Sequence, residues 1–287
     1  MKNKSISYFI SVFWFSLSII SNIGNDIISK YVNLHFFEIT FFRFFFASIL
    51  FTPIILYKKK DILSFNLSIH MIRGVILFFA TASWTYGLSI VPVTTATVIG
   101  SSIPLIILVL SITFLKEKVT WQRWGVVIVG LFGIIITLNP NSGEFDIKIL
   151  ILLISALLFA ILDIINKKIV TSEPIIIMLL YSSIVVAIIS FIPMVLYWEL
   201  PSIFDLFLLL ILGINSNLVL FFILKAFILA DISALAPYRY LELFVSGIAS
   251  YLIFYEIPQN NILYGGLIII SSIIFTIRSE YKQAMNS

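Results

Sequence analysis

Long apolar runs separated by short polar breaks organise this chain from end to end. Each run is about 18–25 residues, the length a helix needs to cross roughly 30 Å of hydrocarbon. Short alternating apolar and polar strands are absent, so the runs predict helices and not a β-barrel. Backbone amides in lipid must be satisfied within their own segment, which again requires helix. The pattern places ten spans, at about 7–29, 36–57, 70–90, 93–115, 121–138, 147–166, 174–198, 204–229, 233–254 and 262–278. The strongest turn cluster, Asn139-Pro140-Asn141-Ser142-Gly143, falls almost at mid-length and divides the chain into residues 1–140 and 141–287.

Composition sharpens the membrane reading. Only 11% of the 287 residues are charged and 61% are hydrophobic. A soluble chain carries about a quarter of its residues as charges. So few polar groups cannot cover a water-facing surface. The first run holds Asn22, Asn25 and Asp26 and lacks a small-residue cleavage pattern, so it is expected to stay as the first helix. The net charge of +4 reflects loop asymmetry and calls for no nucleic-acid partner. With the N-terminus inside, Lys2, Lys4, Lys58, Lys59, Lys60, Lys116, Lys118, Arg123, Lys167, Lys168, Arg278 and Lys282 lie on the cytoplasmic side. Lys30 and Lys148 alone lie outside. Both termini are therefore expected in the cytoplasm of an inner-membrane, multi-pass protein in contact with lipid.

The two halves echo each other. Asp26-Ile27-Ile28-Ser29-Lys30 closes the first span, and Asp163-Ile164-Ile165-Asn166-Lys167 closes the sixth. A slide of 139 residues brings Gly74 onto Gly213 and Glu117 onto Glu256. Five spans per half is odd, so the second half enters from the opposite side. The fold expected is an all-α inverted 5+5 repeat, the architecture behind alternating access in many carriers.

Polar groups inside the apolar runs are the informative ones, since a charge in hydrocarbon costs about 2.5–3.5 kcal/mol on insertion scales. In the first span Ser18, Asn22, Asn25 and Ser29 share a face bordered by Asp26. That face serves either a cavity or interhelical hydrogen bonds. Asp26 has Lys30 at i+4, and Asp163 has Lys167, so both acids have a local pairing option. Arg43 lies deep enough to need a partner, with Asp26 and Glu38 as the candidate acids. Trp84 and Tyr86 suit an interfacial belt or a cavity wall. Thr94, Thr97 and Ser101 share a face just before Pro104, which breaks the helix ladder. The richest segment is Ala236-Pro237-Tyr238-Arg239-Tyr240-Leu241-Glu242, with Asp231, Tyr238 and Glu242 spaced for one face and Arg239 able to reach Glu242 at i+3. Asn215, Asn217 and Lys225 interrupt the eighth run.

The candidate binding residues are thus Asn22, Asn25, Asp26, Arg43, Trp84, Tyr86, Thr97, Tyr238, Arg239 and Glu242. Asp163, Asn166 and Lys225 are candidates for coupling or structure. No cysteine is present, and no His-Glu-x-x-His, Gly-x-Ser-x-Gly or phosphate loop occurs. The chain is therefore expected to be no enzyme, to hold no cofactor and no metal, and to act as a monomer or homodimer on a small molecule.

The stretch Phe37-Glu38 to Arg43-Phe44, then Arg73-Gly74, then Pro104, Phe114-Leu115-Lys116-Glu117, Gln122, Gly125 and Gly130 resembles the EamA family of the drug/metabolite transporter superfamily. Gln122 has no counterpart in the second half, and Pro258 follows Glu256 there. Asn25-Asp26 with Ser29-Lys30-Tyr31, Ser83-Trp84-Thr85-Tyr86-Gly87-Leu88, Leu162 to Lys168 and Ala236 to Glu242 are similar to a branch that imports S-adenosylmethionine in obligate intracellular bacteria. The resemblance implies secondary transport of that cargo, with its demethylated product in exchange, or of another solute such as an amino acid or organic cation. Glu242 or Asp26 would balance the sulfonium, and Trp84, Tyr86, Tyr238 and Tyr240 would meet the cation and adenine. Arg43 or Arg239 would take the carboxylate.

Overall fold

The computed structural model describes residues 2–51, 53, 66–138, 150–255 and 271. Among these residues the regular structure is helical and no strand occurs. The helices are α1 (Lys2–Tyr31), α2 (Phe36–Ile49), α3 (Leu67–Ile90), α4 (Val93–Gly100) and α5 (Ile103–Leu110). They continue with α6 (Trp121–Leu138), α7 (Leu150–Ile169), α8 (Ile175–Leu196), α9 (Ile203–Leu229), α10 (Ile232–Leu235) and α11 (Leu241–Phe254). The expected span at 262–278 and the end of the second, at 50–57, lie largely outside the described residues.

The helix boundaries have local causes. Ser202 opens α9 through a capping box, its hydroxyl accepting from the Asp205 amide at 3.1 Å while Asp205 accepts from the Ser202 amide at 3.1 Å. The expected fourth span is broken at Ser101 and Ser102 because Pro104, at the start of α5, lacks an amide hydrogen. It then widens into a π-turn, Ser111–Leu115, closed by Lys116 in the left-handed region at φ 56°. The ninth span is also interrupted. A tight 3₁₀ turn, Ala236–Tyr240, separates α10 from α11 and carries Pro237 near its start.

Six described helical stretches are long and apolar enough to cross a membrane: Ile6–Tyr31, Leu67–Ile90, Val93–Leu115, Leu150–Ile169, Ile175–Leu196 and Ile203–Leu229. Their surface is inverted relative to a soluble protein. Ile188, Ile192 and Leu196 are exposed on α8, whereas Asn25, Glu38 and Arg73 are fully enclosed. Apolar side chains outside and polar groups inside are what a lipid solvent selects. The chain is a multi-pass membrane protein.

Packing follows the order of the sequence halves. α1 lies along α9, and α3 lies along α7. α2 packs on α8 and α9, and α8 packs on α2 and α3. Exchanging first-half helices for their second-half counterparts maps this set of contacts onto itself. Three glycines mark close crossings between the halves, and a Cβ on Gly87 of α3 would lie 2.2 Å from Leu152 of α7. A Cβ on Gly74 would lie 2.3 Å from Val185, and one on Gly213 would lie 2.8 Å from the Arg43 carbonyl oxygen and from the Phe46 Cβ. Phe46 and Val185 are themselves separated by the 139-residue register.

Candidate substrate chamber

α1, α2, α3, α7, α8, α9 and α11 enclose a chamber with about 1050 Å³ of atom-free space, its open mouth included. The broken helix contributes Gly100 and Ile103, so the interruption at Ser101 opens directly onto this space.

α1 offers Ser18, Asn22 and Asp26, one turn apart on its inner face. Asn22 donates to the Glu242 carboxylate at 2.8 Å, joining α1 to α11. Asp26 accepts from the Trp84 indole N–H at 2.8 Å, and its second oxygen is buried with no hydrogen-bond partner. Trp84 has room because Gly100 faces it; a Cβ there would lie 2.7 Å from the ring. Phe159 meets the indole edge-on at 6.2 Å. On the other side Arg43 donates through Nε to the Ser216 hydroxyl at 2.6 Å, and that hydroxyl in turn donates to the Leu212 carbonyl at 2.6 Å. Arg239 of the 3₁₀ turn forms an ion pair with Asp163 of α7. Asn166, one turn on, accepts from Arg73 at 2.8 Å and keeps a buried amide group without a hydrogen-bond partner.

Eight expected residues thus meet around one space: Asn22, Asp26, Arg43, Trp84, Asp163, Asn166, Arg239 and Glu242. Five do not. Asn25 turns to α9, where its carbonyl accepts from Asn215 at 2.9 Å, so the polar stripe of α1 is shared between chamber and helix contact. Tyr86 packs at 5.2 Å from Phe36 in an aromatic cluster with His35, Phe37 and Tyr197 at one end of the bundle. Burial in that cluster pushes the His35 imidazole below its ordinary range, with Glu199 pulling the other way. Thr97 is buried and returns its hydroxyl to Val93 at 2.9 Å. Tyr238 is buried with its hydroxyl 3.0 Å from that of Tyr8, because the tight turn rotates it off the face it would occupy in a continuous helix. Lys225 lies over the Phe221 ring, 5.5 Å from its centre, and does not line the chamber.

Several local expectations are corrected by the same geometry. Lys30 does not close on Asp26; it donates to the Val91 carbonyl at 2.7 Å. Lys167 does not close on Asp163; it donates to the Phe227 and Ala230 carbonyls at 2.6 and 2.8 Å. Glu38 is no partner for Arg43, since it accepts from the Glu199 amide at 3.3 Å. Asp231 leaves the expected face and sits at the start of α10, 3.9 Å from Arg123. Glu117 accepts the amides of Ile232 and Ser233 at 3.1 Å each, capping that short helix from the end of the π-turn. Ser182, Ser183 and Ser216 also line the chamber and were not singled out in the sequence, because hydroxyls in apolar runs read as packing residues. The only sequence signal was register: Ser182 stands 139 residues after Arg43.

A bundle of apolar helices around an enclosed, charge-bearing chamber defines a membrane carrier. The profile of the EamA-like transporter family matches residues 9–139. An S-adenosylmethionine uptake transporter of Rickettsia bellii is 50% identical over all of this chain and 99% of its own length. One from Rickettsia prowazekii is 47% identical over all of this chain and 98% of its own. A riboflavin transporter of Vibrio cholerae is 25% identical over 75% of this chain and 73% of its own. A solved crystal structure superposes over the whole of both chains with a TM-score of 0.72 at 14% identity, which supports the fold alone. The chain belongs to the EamA-like transporter family, and is a transporter rather than an enzyme.

Proposed function

We propose that this protein is a secondary transporter that imports S-adenosylmethionine across the inner membrane through ten spans arranged as an inverted repeat. The observation that carries the cargo is the charge inventory of the chamber. Three acids and two arginines line it. Arg239 and Asp163 neutralise each other. What remains is one cation, Arg43, and two anions, Asp26 and Glu242. S-adenosylmethionine is the inverse: one carboxylate and two cations, the ammonium and the sulfonium. Trp84 offers an aromatic face beside Asp26 for the sulfonium or the adenine. The names of the Rickettsia relatives support the same cargo. A neutral flavin, the cargo named for the more distant relatives, would leave these charges unbalanced in a weakly screened interior.

The demethylated product, S-adenosylhomocysteine, keeps the carboxylate and ammonium for Arg43 and one acid and lacks the sulfonium for the other, so it serves as a more weakly held exchange partner. Proteoliposomes test both statements. Labelled S-adenosylmethionine should enter vesicles loaded with either compound faster than empty ones, and riboflavin should not compete. Uptake insensitive to unlabelled S-adenosylmethionine refutes the cargo. Equal uptake into empty and loaded vesicles refutes exchange.

A further inference from the structure

The two arginines of the chamber are not alike. Arg239 has its counter-charge built in. Arg43 has none within ion-pair distance among the described residues. The acid whose field reaches it is Asp26, which holds the Trp84 indole instead. The fixed contacts of the Arg43 head group are with neutral groups, the Ser216 hydroxyl at 2.6 Å and the Phe44 ring at 5.4 Å. Its side chain is 8% exposed, so water does little to solvate it. An enclosed guanidinium bonded through Nε to one hydroxyl keeps its two terminal nitrogens for a planar anion. Ser182 supplies a second donor to the same space; its hydroxyl is buried and has no hydrogen-bond partner among the described residues.

The repeat adds an independent observation. In the register that pairs Gly74 with Gly213, Ser182 of α8 occupies the place of Arg43 in α2, and Leu77 of α3 that of Ser216 in α9. The Arg–Ser pair therefore exists on one side of the chamber and faces a Ser–Leu pair on the other. Packing two helices needs no charge at that position, as the second copy demonstrates. A structural brace would not require a guanidinium where serine suffices.

We infer that Arg43, oriented by Ser216, is the carboxylate-binding residue of the chamber and makes the transporter selective for cargo bearing an α-carboxylate. The inference rests on the cargo proposed above and narrows it. Decarboxylated S-adenosylmethionine keeps the sulfonium, adenine and amine and lacks only the group that Arg43 binds.

The test is uptake by the full chain in proteoliposomes, with S-adenosylmethionine and its decarboxylated analogue compared by kcat/KM. The wild type should prefer the carboxylate-bearing cargo by about tenfold to hundredfold, the range of a hydrogen-bonded ion pair. Arg43→Gln should raise KM for S-adenosylmethionine far more than for the analogue, bringing the preference close to one. Arg43→Lys should restore part of it. Ser216→Ala, which keeps the charge and frees its orientation, should give an intermediate preference. Should Arg43→Gln fail to accumulate, the Lys and Ser216 variants carry the test by the same ratio. A preference unchanged in these variants, or both cargoes weakened in proportion, overturns the carboxylate role and leaves the cargo standing. A wild type that moves neither compound overturns the cargo, and the subsite with it.

Discussion

The second oxygen of Asp26 is enclosed and lacks a hydrogen-bond donor among the described residues. Leaving such an acceptor unmet costs about 1–3 kcal/mol, more for a charge. On the function proposed, a cationic cargo removes that cost on arrival. Asp26→Asn keeps an oxygen for the Trp84 indole and removes the charge. It should leave protein yield and thermal stability near wild type while lowering kcat/KM for S-adenosylmethionine about tenfold or more. Wild-type kinetics in that variant would exclude Asp26 from the site. Reading residues from the sequence worked where the chemistry itself was improbable in lipid. Asp26, Arg43, Arg239 and Glu242 stood out because burial of charge is costly, and all four reach the chamber. It failed where two roles share one residue type. Tyr86 and Tyr238 are aromatic like Trp84, yet one belongs to the end cluster and the other to a hydroxyl pair with Tyr8. Helical spacing does not say which of two neighbouring surfaces a side chain meets.

At the scale of elements, the two Asp-Ile-Ile-x-Lys segments tie helix ends together in the same way. Lys30, at the end of α1, holds the backbone where α3 stops. Lys167, at the end of α7, holds two carbonyls where α9 stops. The terminal carbonyls of a helix have no partner within it, and an ammonium there satisfies both hydrogen bonding and the helix dipole. Lys167→Met should therefore destabilise the protein by about 1–3 kcal/mol, measured as heat resistance in detergent. Equal stability of Lys167→Met and wild type would show that water replaces the ammonium. Most of these elements were legible as apolar runs. The expected 121–138 helix is found with those bounds, and 204–229 differs by one residue. The interruptions were half legible. Pro104 announced a break, but the π-turn before Lys116 and the tight turn at Ala236–Tyr240, within a span read as continuous, depend on what packs against them. That is why Asp231, Tyr238 and Glu242 do not share the face their spacing suggested.

For the whole molecule, the orientation expected from the basic residues puts Tyr31 outside and Lys116 inside. The chain has no cysteine, so single substitutions can be labelled cleanly. Tyr31, 55% exposed at the end of α1, and Lys116, exposed after the π-turn, are suitable positions. A membrane-impermeant maleimide should label Tyr31→Cys in intact cells and Lys116→Cys only after permeabilisation. The opposite pattern would reverse the orientation. Gly213→Ala should sharply reduce folded protein, since its methyl would meet backbone atoms of α2 at 2.8 and 2.9 Å and neither helix can give way cheaply. Recovery of a fully stable alanine variant would show that the crossing is looser than this.

The contacts at Gly74 and Gly213 each join a helix of one half to a helix of the other. A third close approach, Gly87 of α3 against Leu152 of α7, does the same. Where not even a methyl fits, two helices cannot roll past each other without first moving apart. One of these contacts is the Arg43 backbone itself, so Arg43 and the α9 wall it leans on form a fixed edge of the chamber.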